Sequence, residues 1–186
     1  MTRVVAVCGS RRDGSRTKLA LERALAAAAE AGADTDMIDL GAVDLPLYHP
    51  DLDAQGDSAD LTRRVREADA VLIGSPVYRG SYSSTFKNFH DYCGSDEYED
   101  TAVGLLVTAG GGSFGGALEH LRATVRNVHG VAIPHEVGIR GASGKFEDDR
   151  LTDPALGERV DRLGREVVDY ARRLSGSCRD PVPADD

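Results

Sequence analysis

The sequence has few of the residues that mark several common classes of protein. It contains no tryptophan, and its three cysteines stand far apart with no Cys-x-x-Cys pair. Scattered cysteines in an odd number argue against a disulfide framework, and the missing pair argues against a zinc site. No apolar run approaches the roughly 20 residues of a membrane span, and the first residues lack the apolar core of a signal peptide. We therefore expect a protein of the cytoplasm with no membrane partner.

Basic residues are also in the minority, at 22 against 31 acidic ones, which gives a net charge of -9. A nucleic-acid binder needs a basic face to neutralise phosphates, so this balance argues against a nucleic-acid partner. The five histidines do not pair at the spacing of metal ligands, and no metal site is expected. A length of 186 residues suits one domain. We expect a single domain over residues 1–175, followed by a flexible C-terminal tail over residues 176–186.

Five short segments rich in apolar and β-branched residues are predicted as buried strands, at residues 4–8, 35–40, 70–74, 101–108 and 131–134. Segments with helical spacing lie between and after them, at residues 17–31, 58–67 and 84–92, after the glycines at 109–116, and from Asp153 and Pro154 onward. This alternation predicts a parallel sheet built from right-handed βαβ units. Five strands favour an α/β, three-layer flavodoxin-like fold with strand order 2-1-3-4-5 over a six-stranded dinucleotide-binding fold.

In either fold a ligand binds beyond the carboxyl ends of the strands, so the loops after strands one, three and four carry the functional information. The first loop spans residues 9–17 and leads directly into a helix. The N–H groups and partial positive charge of a helix N-terminus suit a phosphate. Ser10, Ser15 and Thr17 add hydroxyl groups, and Arg12 adds a charged donor. The alternative is a solvated loop that Ser15 or Thr17 merely caps.

Three rival motifs fail on their spacing in the first loop. A nucleoside triphosphatase loop ends in Gly-Lys-Ser/Thr, whereas here Thr17 precedes Lys18, and the dinucleotide pattern Gly-x-Gly-x-x-Gly is absent from this loop. Low-molecular-weight tyrosine phosphatases resemble this chain in placing a cysteine, here Cys8, after the first strand. They need an arginine six positions later, where this chain has Gly14. Cys8 is therefore predicted to be a small buried residue that ends the strand.

The loops after strands three and four have a composition that suits a flat ring. Residues 75–82 combine Pro76, which stiffens the turn, with Gly80, which permits close approach to the backbone. A stiff loop of N–H groups beside an aromatic residue can bind the edge of a planar heterocycle, although a plain turn fits equally well. Residues 109–116 include five glycines. That composition favours a ligand approached by backbone over a merely flexible turn.

Taken together, the motifs resemble those of the NAD(P)H-dependent FMN reductase family of flavodoxin-like proteins. The first is Gly9-Ser10-x-Arg12-x-x-Ser15-x-Thr17, and the second is Ser75-Pro76-Val77-Tyr78-x-Gly80-Ser81 followed by Lys87-Asn88. The resemblance extends from the first strand to about Ile139, and it implies FMN as cofactor and NAD(P)H as co-substrate. It also implies that the phosphate is bound by Ser10, Arg12, Ser15, Arg16 and Thr17, the isoalloxazine by Pro76, Val77, Tyr78, Arg79, Gly80 and Ser81, and its pyrimidine end by Gly110, Gly111, Gly112 and Ser113.

The activity that the resemblance implies is an FMN-dependent oxidoreductase with a ping-pong cycle. NAD(P)H gives a hydride to the flavin, and a flavin, quinone, azo compound or similar acceptor then takes the electrons. Because the flavin carries the chemistry, no protein residue is expected to be catalytic. The N–H groups of residues 78–81 are expected to stabilise negative charge at the reduced ring.

Two other classes of function remain open at this stage. One is a flavodoxin-type electron carrier without catalysis of its own, and the other is a flavin-free interaction domain. The apolar residues and prolines at 45–50 suit a contact between subunits. We therefore expect a homodimer or a homotetramer.

Overall fold

The chain folds around a five-stranded parallel sheet. A computed structural model describes residues 1–53 and 55–177. The strands are β1 (Arg3–Cys8), β2 (Asp34–Asp39), β3 (Ala70–Pro76), β4 (Ala102–Ala109) and β5 (Val131–Arg140). Their order across the sheet is β2-β1-β3-β4-β5, and all neighbours pair in parallel. The predicted fold class and strand order are confirmed.

Helices cover both faces of the sheet. They are α1 (Arg16–Glu30), α2 (Ser58–Arg66), α3 (Ser84–Asp91), α4 (Ser95–Tyr98), α5 (Gly115–Asn127) and α6 (Pro154–Ser177). Alternate side chains of a strand face opposite sides of the sheet. Val4 and Ala6 accordingly join an apolar cluster with α1 and α6, whereas Val5 and Val7 join one with α2, α3 and α5. The central strands β3 and β4 are buried along their whole length, as strands covered on both faces must be.

The fifth strand is longer than the sequence indicates. The prediction of residues 131–134 ends at Pro134, but β5 continues to Arg140. β5 lies at the edge of the sheet, where the missing N–H of a proline is tolerated. Its pairing with β4 shifts between Val103 and Leu105, so the residues around Pro134 form an irregularity after which pairing resumes. The prediction was wrong because it treated the proline as the end of the strand.

Two short elements are absent from the sequence prediction, namely α4 and an antiparallel hairpin. The hairpin consists of β6 (Phe146–Glu147) and β7 (Arg150–Leu151), and it follows a 3-10 turn at Ala142–Gly144. Elements of two to four residues have too little periodicity to be recognised. No helix in the described ranges is long and apolar enough to span a membrane.

The last helix overlaps the segment that the sequence predicts as a tail. α6 begins at Pro154, as the Asp153-Pro154 pair predicts, and it includes Gly176 and Ser177. Residues 178–186, which make up the rest of the predicted tail, lie outside the described residues.

Candidate functional site

A cavity of about 510 Å³ lies at the carboxyl ends of β1, β3 and β4. All three loops that the sequence singles out contribute to its wall, as expected at the carboxyl edge of a parallel sheet. Residues 142–149, which follow β5, complete it. The lining residues are Ser10, Arg12, Asp13, Gly14, Ser15, Arg16, Thr17, Pro76, Val77, Tyr78, Thr108, Ala109, Gly110, Ala142, Ser143 and Asp149.

The first loop is shaped by its own hydroxyl groups. Ser15 caps α1, and its Oγ accepts a hydrogen bond from the Lys18 N–H at 3.2 Å. The Ser10 Oγ accepts one from the Arg12 N–H at 3.3 Å. Gly14 adopts a φ of 62°, a left-handed conformation that suits glycine. Both serine oxygens act as acceptors in these bonds, which do not use the O–H of Ser10, whereas the Ser15 hydroxyl also interacts with the Cys8 thiol.

A buried pair of threonines ties the first loop to β4. The Oγ1 atoms of Thr17 and Thr108 lie 2.6 Å apart, and both side chains are almost completely buried. The Thr108 carbonyl also accepts the Val77 N–H at 2.8 Å. Thr108 therefore connects the first loop, the second loop and β4 at one point of the cavity.

Ser83 fixes the second loop against the first. Its Oγ donates a hydrogen bond to the Gly9 carbonyl at 2.6 Å, while its N–H donates to the Ser75 Oγ at 2.9 Å. Gly9 has to be glycine here, because a Cβ at this position would lie 2.8 Å from the Cβ of Phe86. The two predicted binding loops are therefore held at a fixed separation by side chains that are themselves buried.

Charge of both signs surrounds the first-loop end of the cavity. Arg12 and Arg16 line it together with the N-terminus of α1, whose first turn contains no acidic residue. Two carboxylates, those of Asp13 and Asp149, also line it. The Arg16 Nη1 lies 3.5 Å from the Asp149 Oδ1. This end of the cavity therefore combines groups that suit an anion with two carboxylates of the protein itself.

The second loop is a tight two-residue turn. The Tyr78 N–H donates to the Ser81 carbonyl at 2.9 Å and the Ser81 N–H donates to the Tyr78 carbonyl at 3.1 Å. The central residues Arg79 and Gly80 have φ values of 53° and 85°, as in hairpin turns of type I′. Two of the four N–H groups of residues 78–81 are therefore used inside the turn itself. Within the described structure, only those of Arg79 and Gly80 are left uncommitted.

The glycine-rich third loop meets the cavity at its first two residues, Ala109 and Gly110. A Cβ built on Gly110, Gly111 or Gly112 would meet open space, so internal packing does not require glycine there. The Gly111 carbonyl accepts a hydrogen bond from the Arg140 Nε at 3.0 Å. This bond ties the loop to the end of β5, the part of the strand that the sequence prediction omits.

The structure brings together most, but not all, of the predicted site residues. Those that line the cavity are Ser10, Arg12, Ser15, Arg16, Thr17, Pro76, Val77, Tyr78 and Gly110. Those that lie outside its lining are Arg79, Gly80, Ser81, Gly111, Gly112 and Ser113. Those that sequence reasoning missed are Asp13, Gly14, Thr108, Ala109, Ala142, Ser143 and Asp149.

The missed residues differ in the signal that was available. Thr108 is a polar residue at the carboxyl end of a buried strand, and that position alone marks it as a candidate. Asp149 belongs to the hairpin that the sequence prediction omits, and its one signal in the sequence is the weak hairpin pattern of the Asp148-Asp149 pair. Ala142 and Ser143 are small residues of a 3-10 turn and carry no signal.

Cys8 is fully buried at the end of β1, as predicted, and it does not line the described cavity. Burial raises the pKa of its thiol, the opposite of what a nucleophilic cysteine requires. No group of three or more His, Cys, Asp or Glu side chains in residues 1–53 and 55–177 is arranged to hold a metal ion.

The donor set fits a ligand with a phosphate at one end and a flat ring at the other. The first-loop end offers two guanidinium groups, two serine hydroxyls and a helix N-terminus, which suit a phosphate. The second-loop end offers the apolar surface of Pro76 and Val77 and the ring of Tyr78. FMN has this division of chemistry, and the residues present fit it.

Comparisons with known proteins agree with this fit. The family model of the NADPH-dependent FMN reductases matches residues 2–144. An FMN-dependent NADPH-azoreductase of Staphylococcus saprophyticus is 30% identical over 151 residues, which cover 77% of this chain and 79% of that protein.

Two solved structures share the fold. The flavoenzyme NAD(P)H:(acceptor) oxidoreductase FerB from Paracoccus denitrificans superimposes with a TM-score of 0.77 at 23% identity, covering 94% of this chain and 99% of that one. A flavodoxin from the domain Archaea gives a TM-score of 0.69 at 14% identity, covering 92% and 99%. The chain therefore belongs to the NADPH-dependent FMN reductase family and is an FMN-dependent oxidoreductase with NAD(P)H as co-substrate.

Proposed function

We propose that this chain holds FMN in the cavity at the carboxyl ends of β1, β3 and β4 and passes electrons from NAD(P)H to a small-molecule acceptor by a ping-pong cycle. The observation that carries the proposal is one continuous cavity that joins the N-terminus of α1 to the loop after β3. Bound FMN would supply the redox chemistry, namely the capacity to hold the hydride equivalent of NAD(P)H until an acceptor binds. Residues 1–175 are taken as one FMN-binding domain.

The first loop is the proposed phosphate site. Arg12 and Arg16 supply charge, and Ser10 and Ser15 supply O–H donors while their oxygens hold the loop in shape. Thr17 fixes the start of α1 through its bond to Thr108. These groups bind and orient the cofactor, since charge-assisted hydrogen bonds are the strong ones.

The second loop is the proposed ring site. Pro76, Val77 and Tyr78 provide apolar contact, and the N–H groups of Arg79 and Gly80 are the donors that remain for the edge of the ring. Gly110, Gly111, Gly112 and Ser113 are proposed to approach the pyrimidine end once FMN is bound, although only Gly110 reaches the cavity without it. Ser81 donates to or accepts from the His120 Nδ1 at 2.9 Å, which steadies the turn.

The acceptor is proposed to be a flavin, quinone, azo compound or similar molecule. The side chain of Tyr78 is 56% exposed beside the cavity, so the proposed ring site is open to solvent. The azoreductase name of a relative supports acceptors of this class. An open site also suits a cycle in which NAD(P)H gives up its hydride and leaves as NAD(P)+ before the acceptor binds at the same place.

A contact between copies of the chain is proposed for the segment around Leu47. Leu47 is 84% exposed, yet its neighbours are firmly held. The Tyr48 N–H donates to the Asn88 Oδ1 at 2.9 Å, and the Tyr92 hydroxyl donates to the Pro46 carbonyl at 2.9 Å. A rigid exposed apolar residue suits the interface of a homodimer or homotetramer.

A location in the cytoplasm is also proposed. Cys8 and Cys93 are free thiols, and reducing compartments keep thiols in this state.

Two measurements test the activity. The protein mixed with FMN and freed of excess cofactor should keep the flavin absorbance bands. It should then oxidise NADPH or NADH at steady state when an azo dye or a quinone is added, with parallel double-reciprocal plots. Retained flavin without oxidation of either nucleotide would favour an electron carrier. Failure to bind FMN would overturn the proposal.

The phosphate site has a sharper test in two adjacent arginines. Arg12 lines the cavity, whereas its exposed neighbour Arg11 is not among the described lining residues. Arg12→Ala should weaken FMN binding by about ten- to a hundredfold, since a hydrogen bond to a charged group contributes roughly 1.5–3 kcal/mol. Arg11→Ala removes the same charge and should leave FMN affinity within about twofold. Equal losses would mean that only net charge matters and that the first loop is wrongly assigned.

A further inference from the structure

The hairpin of residues 146–151, here called the acidic hairpin, brings a carboxylate to the arginine end of the cavity. Its two-residue turn consists of Asp148 and Asp149, with φ values of 46° and 60°. In the described structure Asp149 lines the cavity and Asp148 does not. The Asp149 Oδ1 lies 3.5 Å from the Arg16 Nη1. Arg16 is the first residue of α1. Asp149 therefore lies at the place where the phosphate of FMN is proposed to bind.

The base of the acidic hairpin is firmly held, so the position of Asp149 is set by packing. Phe146 is only 8% exposed and belongs to the apolar cluster of α1 and α6. The Thr152 N–H donates to the Lys145 carbonyl at 3.0 Å, and the Lys145 Nζ lies 2.9 Å from the Asp153 Oδ2. These contacts position the tip of the hairpin at the cavity.

Arg16 is held in place independently of Asp149. Its Cζ lies 5.6 Å from the centre of the Phe146 ring, within the range of a cation–π contact. Its bond to Asp149 is long, and the Asp149 side chain is 74% exposed. Exposed ion pairs of this kind are weak. A phosphate dianion that also reaches the N–H groups of α1 is a stronger partner for the same guanidinium.

We propose that Asp149 and the ligand phosphate compete for Arg16, so that Asp149 lowers the affinity of the site for phosphate-bearing ligands. This inference rests on the proposed function, because it takes FMN as the ligand of the cavity. In the unliganded protein Asp149 neutralises Arg16. On binding, the phosphate takes the guanidinium and Asp149 is released to solvent, where its exposed carboxylate is hydrated. The competition acts on the phosphate only and leaves the ring site unchanged.

The test uses a matched pair of substitutions in one turn. Asp149→Asn and Asp148→Asn each remove one negative charge, and asparagine tolerates the positive φ at either position. The dissociation constants of FMN and of riboflavin, which lacks the phosphate, are measured by flavin fluorescence for each variant and for the unchanged protein. Asp149→Asn should tighten FMN binding about fivefold, with a smaller gain at high salt. Riboflavin affinity should not change, and Asp148→Asn should stay within about twofold for both ligands.

The outcomes separate this inference from the function on which it rests. If FMN binds the unchanged protein and Asp149→Asn behaves like Asp148→Asn, the competition is refuted while the FMN site stands. Weaker FMN binding in Asp149→Asn would also overturn it, since Asp149 would then orient Arg16 for the phosphate. If FMN does not bind any of the proteins, both proposals fail. A gain from Asp149→Asn that persists in an Arg16→Gln background would show that Asp149 acts elsewhere, against the inference.

Discussion

Two turns of the same shape border the cavity, and they serve it differently. Residues 78–81 and residues 147–150 each place two residues of positive φ between antiparallel partners. The first turn follows β3 after one residue and contributes the exposed aromatic ring of Tyr78. The second is anchored by a buried phenylalanine and contributes a carboxylate. One backbone geometry thus presents an aromatic ring at one end of the cavity and a carboxylate at the other.

The two turns also differ in their place relative to the family model. The first lies inside residues 2–144, which the family model matches, and the acidic hairpin lies beyond them.

The largest expected difference between the turns is in their contribution to stability. Phe146→Ala removes a side chain that is only 8% exposed and packed against the α1 and α6 cluster. It should lower the free energy of unfolding by about 3 kcal/mol, from lost transfer energy and the cavity left behind. Tyr78→Ala removes a ring that is 56% exposed and should change it by less than about 0.5 kcal/mol. Urea unfolding followed by circular dichroism measures both.

A conservative variant separates packing from the contact between Phe146 and Arg16. Phe146→Leu keeps most of the apolar volume and should recover most of the stability, with a loss of about 1 kcal/mol. A loss in Phe146→Leu as large as that in Phe146→Ala would mean that the aromatic contact with Arg16, and not burial, holds the acidic hairpin. Equal effects of Phe146→Ala and Tyr78→Ala would remove the distinction between the turns.

A smaller difference is expected from the backbone strain of the two turns. Arg79 has a φ of 53°, and long side chains disfavour this region by about 1–2 kcal/mol, whereas asparagine and aspartate tolerate it. Arg79→Asn should therefore raise the free energy of unfolding by about 0.5–1 kcal/mol. Asp148→Asn should leave it unchanged within about 0.3 kcal/mol, because aspartate already suits its φ of 46°. The two variants remove charges of opposite sign, so stabilisation by both to the same extent would mean that asparagine favours these turns for a reason other than relief of strain at Arg79.

The contrast between the two turns also explains which parts of the fold and of the site could be predicted from the sequence. Strands β1, β3 and β4 are recognisable because both of their faces are apolar, and their order then places the three loops at one edge. Ser10, Arg12 and Ser15 follow from that placement. Asp149 does not, since a two-residue strand has no periodicity and its neighbours in the cavity are far away in sequence. The Asp148-Asp149 pair between Phe146 and Leu151 is a weak hairpin pattern, and it can be recognised as a turn only once the structure is known.

The subtlest difference is expected in the response of the two turns to acid. Hydrogen bonds from the Lys145 ammonium and the Leu156 N–H lower the pKa of Asp153 from its ordinary value of 3.8. A carboxyl group with a lowered pKa stabilises the fold above its ordinary pKa, and this stabilisation is lost as the pH falls through 3.8 toward the folded value. The first turn is fastened by Ser83, whose hydroxyl does not titrate there.

Acid should therefore loosen the base of the acidic hairpin before it affects the first turn. The amide protons of Thr152 and Tyr78, which donate to Lys145 and Ser81, report on the two turns. Below about pH 4 the hydrogen-exchange protection of Thr152 should fall, while that of Tyr78 should hold. Asp153→Asn should give low protection at Thr152 at every pH. A parallel fall at both amides would mean that acid unfolds the domain as one unit, and that Lys145 and Asp153 do not hold the hairpin separately.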